Sequence, residues 1–252
     1  DASTDGTADI LSEYQRAHPN RVVAILGDRN VGVTANSNRG LAACSGDLIA
    51  FLGGVDVLLP GKIAAQGAWF ADSPDRVLCG HQVEVFYDDE SRPSHPLSRR
   101  LLNGRGAGEI IRHQPFGTLS VMVRADRLPA HGFRIELPTV SDELLWVETV
   151  GDDGQFGYVP GTFARWRRHD ANVSGPLRHI AETERYFDIL EREFPQFRND
   201  IDRRKTRQLF YDQGVNLLQS GRRSEARAKF RGAIGREPHF LKAWVRLLSS
   251  YA

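Results

Sequence analysis

The first third of the chain alternates between two spacings of apolar residues, one typical of helices and one typical of strands. Apolar residues at helical spacing predict helices over residues 7–17 and 34–43. The apolar runs over residues 22–26 and 48–52 are too short for helices and predict buried strands, the second of them central and parallel. This order of strands and helices predicts an α/β domain with a mixed, mostly parallel sheet flanked by helices.

The same two spacings continue through the middle of the chain. They predict, in chain order, a helix over residues 62–70, a strand over 77–87, a strand over 118–124, a helix over 144–150 and a strand over 156–159. Residues 88–108 are polar and rich in proline and glycine, which predicts a mobile loop over the ligand site. An arginine-rich loop is expected after residue 159.

The composition changes near Pro176, after which the sequence is charged and helical without strand patterns. We therefore predict an α/β domain over residues 1–175 and an α-helical carboxyl-terminal region over residues 176–252. Within that region, residues 207–240 resemble one tetratricopeptide repeat, which is a pair of antiparallel helices. The residues that carry this spacing are Phe210, Gly214, Leu217, Ala226, Phe230, Ala233 and Pro238. A plain helical hairpin packed on the first domain accounts for the pattern equally well.

Composition narrows the class of protein. The 252 residues include 33 Lys and Arg against 32 Asp and Glu, so the net charge of +1 gives no reason to expect nucleic-acid binding. Cys44 and Cys79 are too few for a disulfide framework, which favours free thiols in a reducing compartment. No apolar run reaches the roughly 18 residues that a membrane-spanning helix needs. We expect a cytoplasmic protein, either free or peripheral to the inner face of the membrane.

Two polar segments at predicted strand-to-helix turns are candidates for ligand binding. The chain opens with Asp1-Ala2-Ser3-Thr4-Asp5-Gly6-Thr7. In open α/β sheets, ligands bind at such turns. Residues 30–40 combine glycines, which let the backbone approach a ligand, with asparagines, which both donate and accept hydrogen bonds. The plainer interpretation of the second segment is a loop that caps a helix.

Four segments, taken in chain order, resemble motifs of the family 2 inverting glycosyltransferases, which have the GT-A fold. Residues 1–7 resemble the family's acidic signature, with Asp1 as the second acid of its pair, and residues 30–40 resemble its Asn-x-Gly…Asn-x-Gly segment. Residues 141–146 resemble Glu-Asp-x-x-Leu-Trp, and residues 165–174 resemble its aromatic-Arg-x-His-x-x-Asn-x-Ser loop. The resemblance implies a GT-A-type, Rossmann-like domain whose first strand precedes Asp1, so we expect an amino-terminally truncated domain.

The resemblance also implies an activity, the transfer of a sugar with inversion from a nucleotide-diphosphate sugar to an acceptor hydroxyl. The acceptor would be a glycan, a lipid-linked molecule or a protein, as in polysaccharide biosynthesis. By the same resemblance Asp142 is the general base that removes the hydroxyl proton. Asp142 also stands in the first turn of a predicted helix, where a negative charge is favourable whatever its function. The implied donor contacts are Asp1, Ser3, Asn38, Arg167 and Arg168.

Family members typically hold a divalent cation, Mn²⁺ or Mg²⁺, with an acidic cluster that follows the strand corresponding to residues 48–52. Here Gly53 and Val55 stand where carboxylates are expected, which leaves Asp56 as the one acid, with His169 as a second expected ligand. Neither glycine nor valine offers the side-chain oxygen that a hard cation needs. We therefore expect weak metal binding, with the arginines near His169 neutralising part of the diphosphate charge.

The same loop supports an alternative, a degenerate and non-catalytic glycosyltransferase-like scaffold that binds partners through its helical region. Gly53 and Val55 favour this alternative, whereas Asp142 and His169 favour an enzyme. A nicotinamide-dinucleotide enzyme does not fit, because no Gly-x-Gly-x-x-Gly segment follows a predicted strand. A protein partner is expected at the helical region.

Overall fold

A computed structural model describes residues 1–89, 92–97, 101–168 and 180–251 of the chain. Ten α-helices lie in these residues: α1 (Thr7–Ala17), α2 (Val33–Ala42), α3 (Lys62–Ala71), α4 (Gly108–His113), α5 (Ser141–Val150), α6 (Ile180–Glu193), α7 (Arg198–Lys205), α8 (Gln213–Gln219), α9 (Arg223–Arg236) and α10 (Leu241–Ser249). A π-helical segment, Thr206–Asp212, joins α7 to α8. Within the described residues, every helix is too short or too polar to cross a membrane.

Seven strands in the same residues form one sheet: β1 (Leu48–Ala50), β2 (Val57–Leu58), β3 (Arg76–Tyr87), β4 (His95–Pro96), β5 (Gly104–Arg105), β6 (Met122–Arg124) and β7 (Gln155–Arg168). The main order is β1-β6-β3-β7-β2, with β4 beside β3 and β5 beside β7. The predicted α/β fold, a mixed sheet with flanking helices and a helical carboxyl-terminal region, is confirmed. The directions are less parallel than expected, because β3 and β7 run parallel and the other described pairings are antiparallel.

The centre of the described sheet is β3, not the apolar run at residues 48–52. β3 pairs with β6 on one side and, along almost its whole length, with β7 on the other. β1 is shorter than predicted and lies at an edge, where it pairs antiparallel with β6. Only part of the apolar run at 48–52 is in a strand. Residues 49–53 also line the cavity that is described in the next section.

The strand predicted over residues 22–26 is not formed in the structure. Val23, Ile25 and Leu26 are 72%, 40% and 52% exposed. A strand depends on hydrogen bonds to a neighbouring strand, and in the described part of the chain none pairs with these residues. The apolar run alone therefore does not define a strand here.

Most other elements follow the sequence pattern, with shifts at their ends. The predicted helix over residues 7–17 is found as predicted, and the helix over 144–150 begins three residues earlier, at Ser141. The strand predicted over 118–124 starts as a 3₁₀ turn and becomes β6 only at Met122. The predicted strand over 156–159 is the first part of β7, so Arg165, Arg167 and Arg168 lie on a strand, not on a loop.

The main hydrophobic core crosses the predicted boundary near Pro176, a residue that itself lies outside the described ranges. It packs the sheet and α5 against α4, α6 and α7. Its buried members include Leu78, Val123, Leu144, Leu145, Tyr186, Phe187, Leu190 and Ile201. Helices α6 and α7 therefore share one core with the sheet, and the division into residues 1–175 and 176–252 stays a prediction.

Helices α8 and α9 pack closely as a hairpin. A Cβ atom on Gly214 would lie 2.7 Å from the Phe230 ring, so the glycine permits this close approach. Ala226 and Ala233 are fully buried on α9. The small residues lie at the helix contact, as predicted, while the assignment to a tetratricopeptide repeat stays a prediction.

A buried polar network joins α3 to the centre of the sheet. The Lys62 ammonium donates to the carbonyl oxygens of Leu119 and Ser120, at 3.2 Å each, and lies 3.1 Å from Nε2 of His81. His81 Nδ1 is 2.8 Å from the Gln82 carbonyl, so a neutral ring donates from Nδ1 and accepts at Nε2. Burial lowers the pKa of His81 to about 4 and the pKa of Lys62 to about 8.

We expect His81 to make the fold sensitive to acid. Its pKa is about 4 in the folded chain against an ordinary value of 6.5, so between these values only the unfolded chain binds the proton. The free energy of unfolding should fall by about 2–3 kcal/mol from this group as the pH drops through that window. Urea unfolding of His81→Gln should give a flatter pH dependence. His18→Gln, at an exposed histidine, should keep the wild-type slope; an unchanged slope in His81→Gln would refute the assignment.

Candidate active site

A cavity of about 630 Å³ lies between α2, the loop after β1, the start of α5 and β7. Its volume is in the range typical of ligand sites. Polar and aromatic residues in its wall include Asp56, Thr118, Phe133, Ser141, Asp142 and Trp166. The cavity thus brings the predicted base and the one acid of the predicted metal loop into the same space.

Asp142 lies half-buried in the first turn of α5. The Thr118 hydroxyl donates a hydrogen bond to Asp142 Oδ2. Among the described residues, Oδ1 accepts no hydrogen bond of its own. A carboxylate with one oxygen anchored and the other available in a cavity is suited to accept a proton from a bound hydroxyl.

A chain of buried hydroxyl groups fixes the residue before Asp142. Thr34 Oγ1 donates to the Leu137 carbonyl at 2.8 Å. Because that hydroxyl has one proton, the Ser141 hydroxyl must donate in the 2.9 Å contact between Ser141 Oγ and Thr34 Oγ1. The start of α5 is thereby attached to α2, which forms the facing wall of the cavity.

Two helices of the carboxyl-terminal region also hold α5. On α6, Glu182 accepts hydrogen bonds from the backbone N–H groups of Thr139 and Val140, at 2.6 and 2.8 Å. On α7, Arg204 forms an ion pair with Glu143. Since the first pair of residues precedes α5 and Glu143 follows the predicted base, these contacts lie on both sides of it.

Asp56 closes a tight turn after β1. Its backbone N–H donates to the Gly53 carbonyl at 3.1 Å, and its Oδ1 accepts from the backbone N–H of Arg167 at 3.1 Å. Arg167 Nε donates to the Val55 carbonyl at 3.0 Å, and the same guanidinium pairs with Asp88. The turn is therefore bound to the end of β7 through one arginine.

The residues of this turn do not fit a divalent cation. A Cβ atom on Gly53 would lie 2.7 Å from Asp56 Oδ2, so a carboxylate at position 53 would require the Asp56 side chain to move. The described residues contain no group of three His, Cys, Asp or Glu side chains placed to hold a metal. His169, the other predicted ligand, lies outside the described residues. Weak metal binding by this loop remains a prediction. The close approach of Gly53 to Asp56 Oδ2 adds a steric reason for it.

Three arginines lie on the last part of β7. Arg165 pairs with Glu84 at 2.6 Å. The guanidinium of Arg168 lies over the Trp166 ring, 4.7 Å from its centroid, and makes no ion pair with any residue that the structure describes. Trp166 lines the cavity, so Arg168 is a positive charge held beside its wall.

Asp1, a predicted donor contact, binds the backbone of residues 31 and 32. Its Oδ1 accepts from the Val31 N–H at 2.7 Å and its Oδ2 from the Gly32 N–H at 2.9 Å. Ser3 is exposed. Neither residue belongs to the wall of the cavity, so their role as donor contacts stays a prediction.

Asn38 also has structural partners. Its Nδ2 donates to the Phe133 carbonyl and its Oδ1 accepts from the Phe133 N–H, both at 2.8 Å. This pair of hydrogen bonds orients Phe133, whose ring lines the cavity. Asn38 therefore lies behind Phe133 and not in the cavity wall itself. A direct contact between Asn38 and a donor stays a prediction.

Sequence analysis missed Thr118, Glu182 and Arg204. Their partners in the site lie 24, 43 and 61 residues away along the chain, so no local spacing reveals them. The signal available was a polar residue, Thr118, at the start of an apolar predicted strand. These contacts come from the tertiary structure.

The mixed sheet with flanking helices is a GT-A-type fold. The family described as Glycosyl transferase family 2 matches residues 1–127, just over half of the 252 residues. The chain belongs to that family. Membership supports glycosyl transfer as the general activity.

The chain is similar to two uncharacterized mycobacterial proteins, Mb1547 of Mycobacterium bovis and Rv1520 of Mycobacterium tuberculosis, each 33% identical over 194 residues. The match covers 73% of this chain and 52% of each relative, so the chain spans about half the length of the curated relatives it matches. A crystal structure of S. aureus TarS 1-349 is similar with a TM-score of 0.59 and 16% identity, over 100% of this chain and 77% of that one. At this identity the likeness shows the fold alone.

Proposed function

We propose that this protein is an inverting glycosyltransferase that moves a sugar from a nucleotide-diphosphate sugar to an acceptor hydroxyl. The observation that carries the proposal is the position of Asp142, which faces the cavity with Oδ2 anchored by Thr118 and Oδ1 available. Family membership supports the transfer in general. The inverting route needs one base, and the Asp142 carboxylate can supply it.

In the proposed reaction, the Asp142 carboxylate takes the proton of the acceptor hydroxyl. The hydroxyl oxygen attacks the anomeric carbon of the sugar from the face opposite the diphosphate and forms the new glycosidic bond. The bond between that carbon and the diphosphate oxygen breaks, and its electron pair leaves with the nucleoside diphosphate. One displacement of this kind inverts the configuration at the anomeric carbon.

The donor would lie against the wall formed by Trp166, with its diphosphate near Arg167 and Arg168. In this proposal Asp1, Ser3 and Asn38 contribute to the nucleotide pocket as the family resemblance implies. Asp1 already binds two backbone N–H groups, which supports an indirect role in shaping the loop. The acceptor would be a glycan, a lipid-linked molecule or a protein.

The cellular setting is also a proposal. We place the activity in the cytoplasm or at the inner face of the membrane, in polysaccharide biosynthesis, with a protein partner at the helical region. Two free cysteines, one exposed and one buried, support a reducing compartment.

A non-catalytic scaffold is the second candidate. Gly53 and Val55 favour it, because they remove carboxylates from the loop that holds a metal in related enzymes. A scaffold of this kind would bind a nucleotide sugar or a partner, but it would form neither a glycosylated acceptor nor a free nucleoside diphosphate.

The two candidates are separated by turnover. The chain would be mixed with UDP-, GDP-, dTDP- and CDP-sugars and with alkyl glycosides as acceptors, and release of nucleoside diphosphate would be followed. We expect one donor class to react, and NMR of the product should give an anomeric configuration opposite to that of the donor. Retained configuration would refute inversion. Donor binding without turnover, with or without Mn²⁺, would support the scaffold.

A further inference from the structure

The turn at residues 53–56 is closed by an arginine of β7. The backbone N–H of Arg167 donates to Asp56 Oδ1 at 3.1 Å, and Arg167 Nε donates to the Val55 carbonyl at 3.0 Å. The same side chain pairs with Asp88. A guanidinium group therefore lies against the loop in which related enzymes gather carboxylates.

Gly53 belongs to the same arrangement. A Cβ atom there would lie 2.7 Å from Asp56 Oδ2 and would displace the carboxylate that binds Arg167. Val55, at the other position where an acid is expected, has a 49% exposed side chain and offers only its carbonyl, which Arg167 uses. The turn binds an arginine, and apart from the Asp56 carboxylate its side chains offer no oxygen to a divalent cation.

Arg168 supplies a second guanidinium group. It stacks over Trp166, at 4.7 Å from the ring centroid, and among the described residues it makes no ion pair. A guanidinium stays charged at physiological pH, and its fork of N–H groups matches two phosphate oxygens. Because the ring of Trp166 lines the cavity, the Arg168 charge is available to an anion bound there.

We propose that Arg168 takes the place of the divalent cation and binds the diphosphate of the donor, while Arg167 holds the turn at residues 53–56 closed. The electron pair that leaves the sugar stays on a diphosphate oxygen, and hydrogen bonds from the Arg168 guanidinium stabilise that charge. The protein then transfers sugar without a metal. This inference rests on the proposed function for the identity of the donor, whereas diphosphate binding can be measured without any turnover.

The probes are UDP and inorganic pyrophosphate, with affinity measured by calorimetry on the whole chain. Wild type should bind both equally well with excess EDTA and with added Mn²⁺. Arg168→Gln should weaken both about 10- to 100-fold, the loss expected for one charge-assisted contact. Arg223→Gln, at an exposed arginine on α9, is the matched control and should bind as wild type does.

Binding that requires Mn²⁺, stoichiometric Mn²⁺ uptake by wild type in an electron paramagnetic resonance titration, or full affinity in folded Arg168→Gln would each overturn the inference. Failure of the proposed function has a different signature. In that case pyrophosphate binding still depends on Arg168, but no nucleotide sugar is turned over.

Discussion

Replacing Asp142 with Asn is expected to lower kcat for sugar transfer about 100- to 10,000-fold and to leave donor affinity nearly unchanged. A general base contributes a factor of this size, and the amide keeps the shape of the side chain while losing the proton acceptor. The Thr118 hydroxyl can still donate to the oxygen of the new amide. Steady-state kinetics would give kcat, and calorimetry with UDP would give the affinity.

The matched control is Asp126→Asn, the same chemical change at an exposed carboxylate. Its kcat should equal that of wild type. Turnover at the wild-type rate in Asp142→Asn would remove Asp142 from the mechanism, and a parallel loss of UDP binding would point to a structural role.

The second large effect is expected at Arg204, where Arg204→Met should lower the free energy of unfolding by about 3–5 kcal/mol. The Arg204 and Glu143 side chains are only 6% and 16% exposed, so the substitution leaves a carboxylate with little water around it. It also removes the donor from the Ile111 carbonyl, at 3.1 Å, and from the Tyr186 hydroxyl, at 3.3 Å. Chemical unfolding monitored by circular dichroism would measure the change.

Two further variants identify the cause of that loss. Arg198→Met makes the same change at an exposed position on the same helix and should cost little. Glu143→Gln in the Arg204→Met background removes the carboxylate charge that has lost Arg204 and should recover part of the stability, with a coupling of about 1 kcal/mol or more. Equal losses in Arg198→Met and Arg204→Met, or no coupling, would contradict the buried ion pair.

The elements that the sequence predicts well are those whose signal is local. The helix over residues 7–17 has its amphipathic spacing within its own turns, and β3 has the alternating positions that suit a strand. Residues 22–26 have a similar run and form no strand, because a strand also depends on a neighbour that local sequence does not specify. The same limit explains why the sequence does not reveal that β1 runs antiparallel to its neighbour and lies at an edge of the sheet.

The residues of the candidate site also fall into those that a local motif reveals and those that only the folded chain reveals. Asp142 and Asp56 are recognisable from motifs, and the structure brings both to one cavity. Asn38 is also part of a motif, but its amide is occupied by the backbone of Phe133, which spacing along the chain does not reveal. Glu182 and Arg204 have no motif, since what they do depends on helices that meet only in the folded chain.

The residues of α6 and α7 that hold α5 are translated after α5 itself. Arg204 follows its partner Glu143 by 61 residues, and a ribosome adds about 5–20 residues each second, so Arg204 is made about 3–12 s later. During that interval a nascent chain can pair its strands and bury part of its core, but the helix that carries Asp142 lacks its contact with α7. A chain released before Arg204 is translated would contain every family motif, with the base held by Thr118 and by the contact of Ser141 with Thr34, but without the ion pair to Glu143. Full support of the α5 helix therefore depends on helices that are translated after every motif of the family.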